Sequence, residues 1–210
     1  DRDDLDEFIE KFGEDVHKYK SSDFEPNFFE LLNKDLELLK DIKVLWKYID
    51  NDPKLETFIE SLKNDKELKD KKIVLFTESK ETGDYLFENL NNSFPDKVLF
   101  FSSHGGLIGD ERNSNAEARL KIKENFDPNY RAPEDNFNIL ITTDILAEGI
   151  NLHRSNIIIN YDLPWNPTRV LQRVGRVNRV GTSHKFVHIY NFFPTDESES
   201  EINLEANIKN

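Results

Sequence analysis

The sequence predicts an α/β fold with a mainly parallel sheet and helices on both faces, preceded by a helical segment. Short runs of continuous apolar residues recur between Ile73 and Tyr190, as expected for strands that are buried on both faces. Stretches with helical periodicity lie between several of these runs, and this alternation is typical of βα units. The 210 residues contain no Cys, eight Gly and eight Pro, which excludes disulfide scaffolds and fibrous or low-complexity chains.

Residues 1–70 form the predicted helical segment. Apolar residues follow three-and-four spacing over residues 31–49, which indicates an amphipathic helix. Asp52-Pro53 then combines an N-cap with a proline at the first helical position, and a second helix is predicted over residues 55–68. A polar break at residues 70–72 sets the boundary to the next domain.

Residues 71–193 form the predicted α/β domain, and residues 194–210 an acidic tail. Strands are predicted at residues 73–77, 98–101, 139–142, 157–159 and 186–190. Helices are predicted at residues 80–91 after Ser79, 115–125 after the capping box of Ser114 and Glu117, and 167–180 after Asn166. No stretch has the roughly 18 apolar residues that a membrane span needs, so no membrane partner is expected.

The charge distribution is uneven. The formal net charge is −13, from 41 acidic and 28 basic residues, which on bulk charge argues against nucleic-acid binding. Residues 169–179, however, hold four arginines and no acidic residue. Because salt screens charges beyond about 10 Å, a local basic stripe can still bind phosphate.

The helix predicted from Pro167 has the strongest functional signal. One amide and two guanidinium groups lie on one stripe at spacings of four and three residues, namely Gln172, Arg176 and Arg179. Three valines with the same spacing form the opposite stripe, namely Val170, Val174 and Val177. Arg169 and Arg173 flank the polar stripe. Guanidinium groups bind phosphate through paired hydrogen bonds, so the stripe predicts a phosphate site; the alternative is that these arginines pair with acidic side chains elsewhere.

The rest of a nucleotide site is missing from the sequence. There is no Gly-x-x-x-x-Gly-Lys-Ser/Thr loop and no paired acidic motif after a strand. Asp144 is the best single carboxylate, and no metal site is predicted. The arginines therefore resemble half of a site, as arginine fingers do when another module holds the nucleotide.

Two motifs identify a family resemblance. Residues 172–179 are Gln-Arg-Val-Gly-Arg-Val-Asn-Arg, and residues 142–152 are Thr-Thr-Asp-Ile-Leu-Ala-Glu-Gly-Ile-Asn-Leu. Together they resemble the last two motifs of the second motor domain of superfamily-two helicases and translocases. Residues 165–167 and 179–181 are most similar to the Swi/Snf-like branch. The resemblance covers residues 71–193.

The resemblance implies roles for individual residues. Arg179 would be the catalytic finger that reaches ATP phosphates, with ATP and Mg²⁺ held mainly by a missing first motor domain. Arg176 would contact phosphate or support that finger. The other residues expected near the cofactor are Gln172, Gly149, Asn151 and Asp144, the last orienting the arginines rather than binding metal. The residues expected to face the nucleic-acid backbone are Thr142, Thr143, Ser103 and His104.

The predicted function is therefore that of the second motor domain of an ATP-dependent nucleic-acid helicase or translocase. The expected partners are double-stranded DNA and an N-terminal motor domain of the same polypeptide, in the bacterial cytoplasm or nucleoid. The chain has no Met and begins with Asp, so we expect a piece of a longer protein that alone hydrolyses no ATP. Two alternatives remain: an interaction module that kept the fold and lost the motor, and a small-molecule transferase.

Overall fold

The computed structural model describes residues 19–49, 51–109, 111–147 and 150–193. The chain divides into two compact units, residues 1–52 and residues 53–210. In the first unit, a short 3-10 helix at Ser21–Asp23 precedes helix α1, Phe28–Trp46. None of the residues of α1 is buried. Within the described ranges, no helix is both long and apolar enough to cross a membrane.

The second unit contains the sheet. Its helices are α2 (Pro53–Asn64), α3 (Lys80–Ser93), α4 (Asn115–Phe126) and α5 (Pro167–Val177), with a 3-10 helix at Asp144–Ala147. Its strands are β1 (Ile73–Phe76), β2 (Val98–Ser102), β3 (Gly105–Ile108), β4 (Glu111–Asn113), β5 (Ile139–Thr142), β6 (Ile157–Asn160) and β7 (His188–Asn191). The caps predicted at Ser79, Ser114 and Asn166 are all formed.

The seven strands form one sheet in the order β4-β3-β2-β5-β1-β6-β7. Strands β2, β5, β1, β6 and β7 pair in parallel, and β3 and β4 pair antiparallel at one edge. The predicted α/β class with a mainly parallel sheet is confirmed. The sequence did not predict β3 and β4, because β3 begins with two glycines and β4 is entirely polar, so neither has the apolar run of a buried strand.

The core lies on both faces of the sheet. Ile73 and Leu75 of β1 belong to one buried cluster, to which α2 and α3 contribute. Val74 and Phe76 belong to a second cluster, to which α4 contributes. Because successive strand residues point to opposite faces, these two sets confirm that β1 is buried on both sides.

Helix α2 belongs to the sheet unit. The sequence placed the boundary at residue 70, but the structure divides the chain between Asp52 and Pro53. The physical reason is that Leu55, Phe58 and Leu62 of α2 are buried in the core cluster that also contains Ile73 and Leu75. The charged turn after α2 resembles a linker in composition, but it connects two elements of the same unit.

Gly83 allows α3 to approach the sheet closely, and it yields a stability prediction. A Cβ at Gly83 would lie 2.4 Å from Cε2 of Phe100, a buried residue of β2. We expect Gly83→Ala to lower the free energy of unfolding by roughly 1–3 kcal/mol, the usual cost of overpacking a core. Urea denaturation measures this change.

The matched control for this prediction is the helical glycine at position 175. A Cβ there would meet nothing within 4 Å, so Gly175→Ala should raise the free energy of unfolding by about 0.5–1 kcal/mol through helix propensity alone. Equal effects of the two substitutions would contradict the packing argument.

Candidate functional site

Polar side chains from three neighbouring strands meet at the carboxyl edge of the sheet. The last residue of β1, Phe76, is in register with Thr142 of β5 and with Asn160 of β6. The residues that follow these strands therefore lie side by side, and they include Glu78 and Asp144. This edge is where open α/β sheets bind their ligands.

The buried guanidinium group of Arg173 is the centre of this edge, with 2% of the residue exposed. Its Nε donates to Oδ1 of Asp144 at 2.7 Å, and its Nη2 donates to the other Asp144 oxygen at 3.1 Å. Nη1 donates to Oδ1 of Asn160 at 2.9 Å and to the carbonyl oxygen of Asp162 at 3.1 Å. Nη2 also donates to Oε1 of Glu78. All five N–H groups of the guanidinium are therefore used, as a buried cation requires.

This burial corrects the predicted position of Arg173 beside the polar stripe. On α5 it lies three residues after Val170 and four before Val177, so it shares their face of the helix. Arg169 also pairs with acids, at 3.2 Å from Oε2 of Glu78 and 3.5 Å from Oδ2 of Asp144. The alternative reading, in which the arginines pair with acidic side chains elsewhere, therefore holds for these two.

Arg176 and Gln172 line a cavity of about 140 Å³ at the same edge, together with Arg169 and Asp144. Arg176 is half-buried. Among the described residues, its guanidinium has no hydrogen-bond or ion-pair partner. Among the described residues, the carboxylates of Glu78 and Asp144 pair with Arg169 and Arg173, and neither Arg176 nor Arg179 has a carboxylate partner.

Arg179 lies beyond the end of α5. The helix ends at Val177, not at the predicted residue 180, so the helical stripe does not place this arginine. Its Nη1 donates to Oδ1 of Asn151 at 2.5 Å, and its Nε donates to the Gly175 carbonyl oxygen at 3.4 Å. The Asn151 Nδ2 in turn donates to Oδ2 of Asp127 at 3.3 Å, which fixes the amide with its oxygen towards Arg179.

Asn151 is thus brought to the arginine site, as the sequence predicted, although it contacts Arg179 rather than an open cavity. Gly149, the other turn residue predicted near the cofactor, lies outside the described residues.

Lys54 of α2 lies at the edge of this site, and the sequence analysis did not predict it. Its Nζ donates to the Tyr161 carbonyl oxygen at 2.7 Å and lies 3.6 Å from Oδ1 of Asp162. The same Asp162 accepts hydrogen bonds from the Thr77 hydroxyl and from the backbone N–H of Glu78. Lys54 therefore ties α2 to the ends of β6 and β1. No motif marks it, and the predicted boundary at residue 70 left α2 outside the domain.

The residues predicted to face nucleic acid follow β2 and β5, which are adjacent. Ser103 and His104 are exposed in the turn after β2, with the Ser103 hydroxyl 2.9 Å from Nδ1 of His104. Thr143 is half-buried at the end of β5. The structure corrects the predicted exposure of the Thr142 side chain. Thr142 is fully buried, and its hydroxyl is directed at the carbonyl oxygens of Phe101 and Thr143, at 3.1 and 3.0 Å. Its side chain is used inside the sheet.

Two basic side chains lie beside this turn. Lys80 and Arg112 line the same shallow depression as His104 and Gly105. Lys80 is paired with Asp84, whereas the exposed Arg112 has no hydrogen-bond or ion-pair partner in the part of the chain that is described. The sequence missed Arg112 because it missed β4. No group of three or more His, Asp or Glu suited to a metal ion occurs among the residues with described positions.

Comparison with known proteins identifies relatives of this domain. The chain is 36% identical over 134 residues to the uncharacterized ATP-dependent helicase YqhH of Bacillus subtilis (strain 168), covering 63% of this chain and 21% of that protein. It is 33% identical over 131 residues to the ATP-dependent RNA helicase uap56 of Schizosaccharomyces pombe, covering 62% of this chain and 25% of that protein. The chain therefore spans about a fifth to a quarter of these relatives.

A solved structure and a family match agree on the domain. The fold is similar to the crystal structure of the C-terminal part of the Fun30 ATPase domain, with a TM-score of 0.55, 22% identity, and coverage of 83% of this chain and 53% of that one. Residues 53–181, more than half of the chain, match the family described as helicase conserved C-terminal domain. Their amino-terminal limit coincides with the start of α2 and of the sheet unit. The chain belongs to the helicase conserved C-terminal domain family.

Proposed function

We propose that this chain is the second motor domain of an ATP-dependent nucleic-acid helicase or translocase. In this proposal its arginines complete a nucleotide site whose phosphate-binding loop is supplied by a first motor domain of the same polypeptide. The observation that carries the proposal is the pair of guanidinium groups of Arg176 and Arg179, for which the described residues provide no carboxylate partner. They stand out in a chain whose net charge is −13.

The two arginines suit polyphosphate oxygens. The guanidinium of Arg176 has no partner among the described residues, and that of Arg179 is held by two neutral oxygens, from Asn151 and Gly175. Neutral acceptors orient a guanidinium without neutralising it, so its charge remains available to an anion. ATP with Mg²⁺, when bound, would supply the phosphoryl group that is transferred. Arg179 would stabilise the charge that develops on it.

Asp144 and Arg173 have a positioning role in this proposal. Both oxygens of Asp144 accept hydrogen bonds from Arg173, so the carboxylate orients the arginine helix rather than contacting the nucleotide. Gln172 is exposed beside Arg176 and is the amide that would reach the nucleotide from α5.

Nucleic acid would bind along the ends of β2 and β5. Ser103, His104 and Thr143 offer polar groups there, and Arg112 adds a cation that has no partner among the described residues. Such groups contact the sugar-phosphate backbone and read no base sequence. The relative uap56 is named as an RNA helicase, which supports RNA as the nucleic acid; double-stranded DNA and a place in the Swi/Snf-like branch form the alternative.

Arg179→Ala tests the finger role in the full-length gene product. We expect ATP turnover to fall by about 10³–10⁵ while nucleotide affinity changes little, because finger arginines act on the transition state. The exposed side chain should contribute within about 0.5 kcal/mol to stability, so the melting curve should not move. Arg179→Lys should restore little turnover, since an ammonium lacks the planar fork. Arg131→Ala, at another exposed arginine, is the control, and turnover of Arg179→Ala at the parent rate would refute the role.

Arg173→Ala separates positioning from finger chemistry. Removing this buried cation leaves Asn160 Oδ1 without its donor and leaves Asp144 and Glu78 with only the half-exposed Arg169 as an arginine partner. We expect the free energy of unfolding to fall by roughly 2–4 kcal/mol, somewhat below the full cost of breaking a buried ion pair, because both carboxylates are about one-third exposed. Arg169→Ala removes a half-exposed partner of the same carboxylates and should cost less than about 1 kcal/mol. Equal losses in urea denaturation would contradict the buried role of Arg173.

Arg112→Ala tests the nucleic-acid face. We expect weak, salt-sensitive binding of fluorescein-labelled single-stranded RNA by the chain, measured by anisotropy. Loss of one phosphate contact should reduce the slope of log affinity against log salt by about 1. Arg131→Ala, in the loop before the amino end of β5, is the matched control and should leave the slope unchanged. Affinity that is constant from low to high salt would contradict the proposed contacts, and tighter binding of duplex DNA than of RNA would favour the alternative.

A further inference from the structure

A second cavity opens at the opposite edge of the sheet, where the parallel strands begin. Its volume is about 330 Å³. Four buried residues form its floor: Leu62 from the end of α2, Leu68 from the following turn, and the first residues of β1 and β5, Ile73 and Ile139. The half-buried ring of Phe94 lines one side. The cavity is therefore separate from the arginine site, which lies at the carboxyl ends of the same strands.

The rim of this cavity is basic. Four exposed lysines line it, Lys63, Lys69, Lys71 and Lys97, with one acidic residue, Asp70. The rim therefore has three more positive than negative charges (4 − 1 = 3), in a chain whose overall charge is −13. None of these lysines forms an ion pair within the described ranges. Two of the ammonium groups have neutral neighbours: Lys97 donates to the Asn136 carbonyl oxygen at 3.3 Å, and Lys63 lies 5.9 Å from the centre of the Phe94 ring.

The backbone holds two of these lysines in a fixed turn. The backbone N–H of Lys69 donates to the Asp65 carbonyl oxygen at 2.8 Å, and that of Lys71 donates to the Leu68 carbonyl oxygen at 3.2 Å. Asp70 between them has a φ of 57°, in the left-handed region that Asp tolerates better than most residues. Lys69 and Lys71 therefore flank a turn whose hydrophobic residue, Leu68, points into the cavity floor.

The apolar floor and the lysine rim favour two different parts of one ligand. Binding cavities of 300–1,000 Å³ are generally lined by apolar side chains with a few polar groups that select the ligand. The four floor residues are aliphatic and favour a hydrocarbon body, Asn138 adds an amide to the lining, and the lysines of the rim attract an anionic head.

We propose that this cavity binds a small amphiphilic anion, with its hydrocarbon body on the apolar floor and its charged head between the four lysines. The ammonium group of lysine is a compact point charge, and it binds planar and tetrahedral anions alike. The charged head can therefore be a carboxylate or a phosphate monoester. The site lies apart from the arginine edge, and its occupancy requires neither ATP nor nucleic acid. The proposal therefore stands or falls independently of the proposed motor function.

The test is calorimetric titration of the chain with octanoate, octyl phosphate, octanol and octylammonium. We expect saturable binding of one octanoate or octyl phosphate per chain, and the tighter of the two identifies the head group. Octanol should bind at least about tenfold more weakly, and octylammonium not at all. Each exposed ion pair contributes up to a few-fold in affinity, so Lys69→Glu with Lys71→Glu should weaken octanoate binding by about tenfold.

The control variant reverses two lysines away from the cavity, Lys123→Glu with Lys185→Glu. It makes the same change in net charge and should leave octanoate affinity unchanged. Thermal melts of both double variants establish that they fold. The proposal is overturned if octanol binds as tightly as octanoate, if the two double variants lose affinity equally, or if the folded parent chain shows no saturable binding of either anion.

Discussion

The buried guanidinium of Arg173 is the constraint on which the rest of the site depends. A charge that is taken out of water must be matched by hydrogen bonds in every direction. Here the five N–H groups find acceptors at the ends of three different strands, through Glu78, Asp144 and the pair Asn160 and Asp162. The helix that carries Arg173 can therefore occupy only one position on the sheet. Lys54 strengthens the same edge from the other face by binding beside Asp162.

This constraint also determines what the neighbouring arginines are free to do. The carboxylates of Glu78 and Asp144 pair with Arg173 and Arg169, and no other carboxylate in the described part of the chain pairs with Arg176. Arg179 is oriented by an amide instead of a carboxylate. The motif thus has two kinds of arginine, one that satisfies its charge inside the protein and one that presents its charge outward. That division is what makes the helix rigid and the edge electropositive at once.

The sequence predicted the parts of the fold that follow from apolar periodicity. Four of the five parallel strands and the α/β class come from burial on two faces, and the three caps come from hydrogen bonds between near neighbours in the chain. The fifth strand, β7, lies at the sheet edge and none of its residues is fully buried. The burial of Arg173 was missed because a charged residue was assigned to the polar side, although its spacing from Val170 and Val177 is that of the buried stripe. Lys54 and Asp162 meet 108 residues apart in the chain (162 − 54 = 108), and nothing in the local pattern of either indicates a partner at that distance. The end of α5 at Val177 depends on its C-cap, which has no strong sequence signal.

The polar character that concealed β4 from sequence analysis has a consequence for self-association. A sheet edge exposes unpaired N–H and C=O groups, and a long apolar edge strand is a template on which other chains aggregate. One edge of this sheet is instead a strand of three residues, Glu111–Asn113, in which a carboxylate and a guanidinium are exposed, and the other edge is β7. A strand this short and this charged offers little for a second β-strand to extend. The hairpin of β3 and β4 therefore acts as a solubilising cap on the apolar strands behind it.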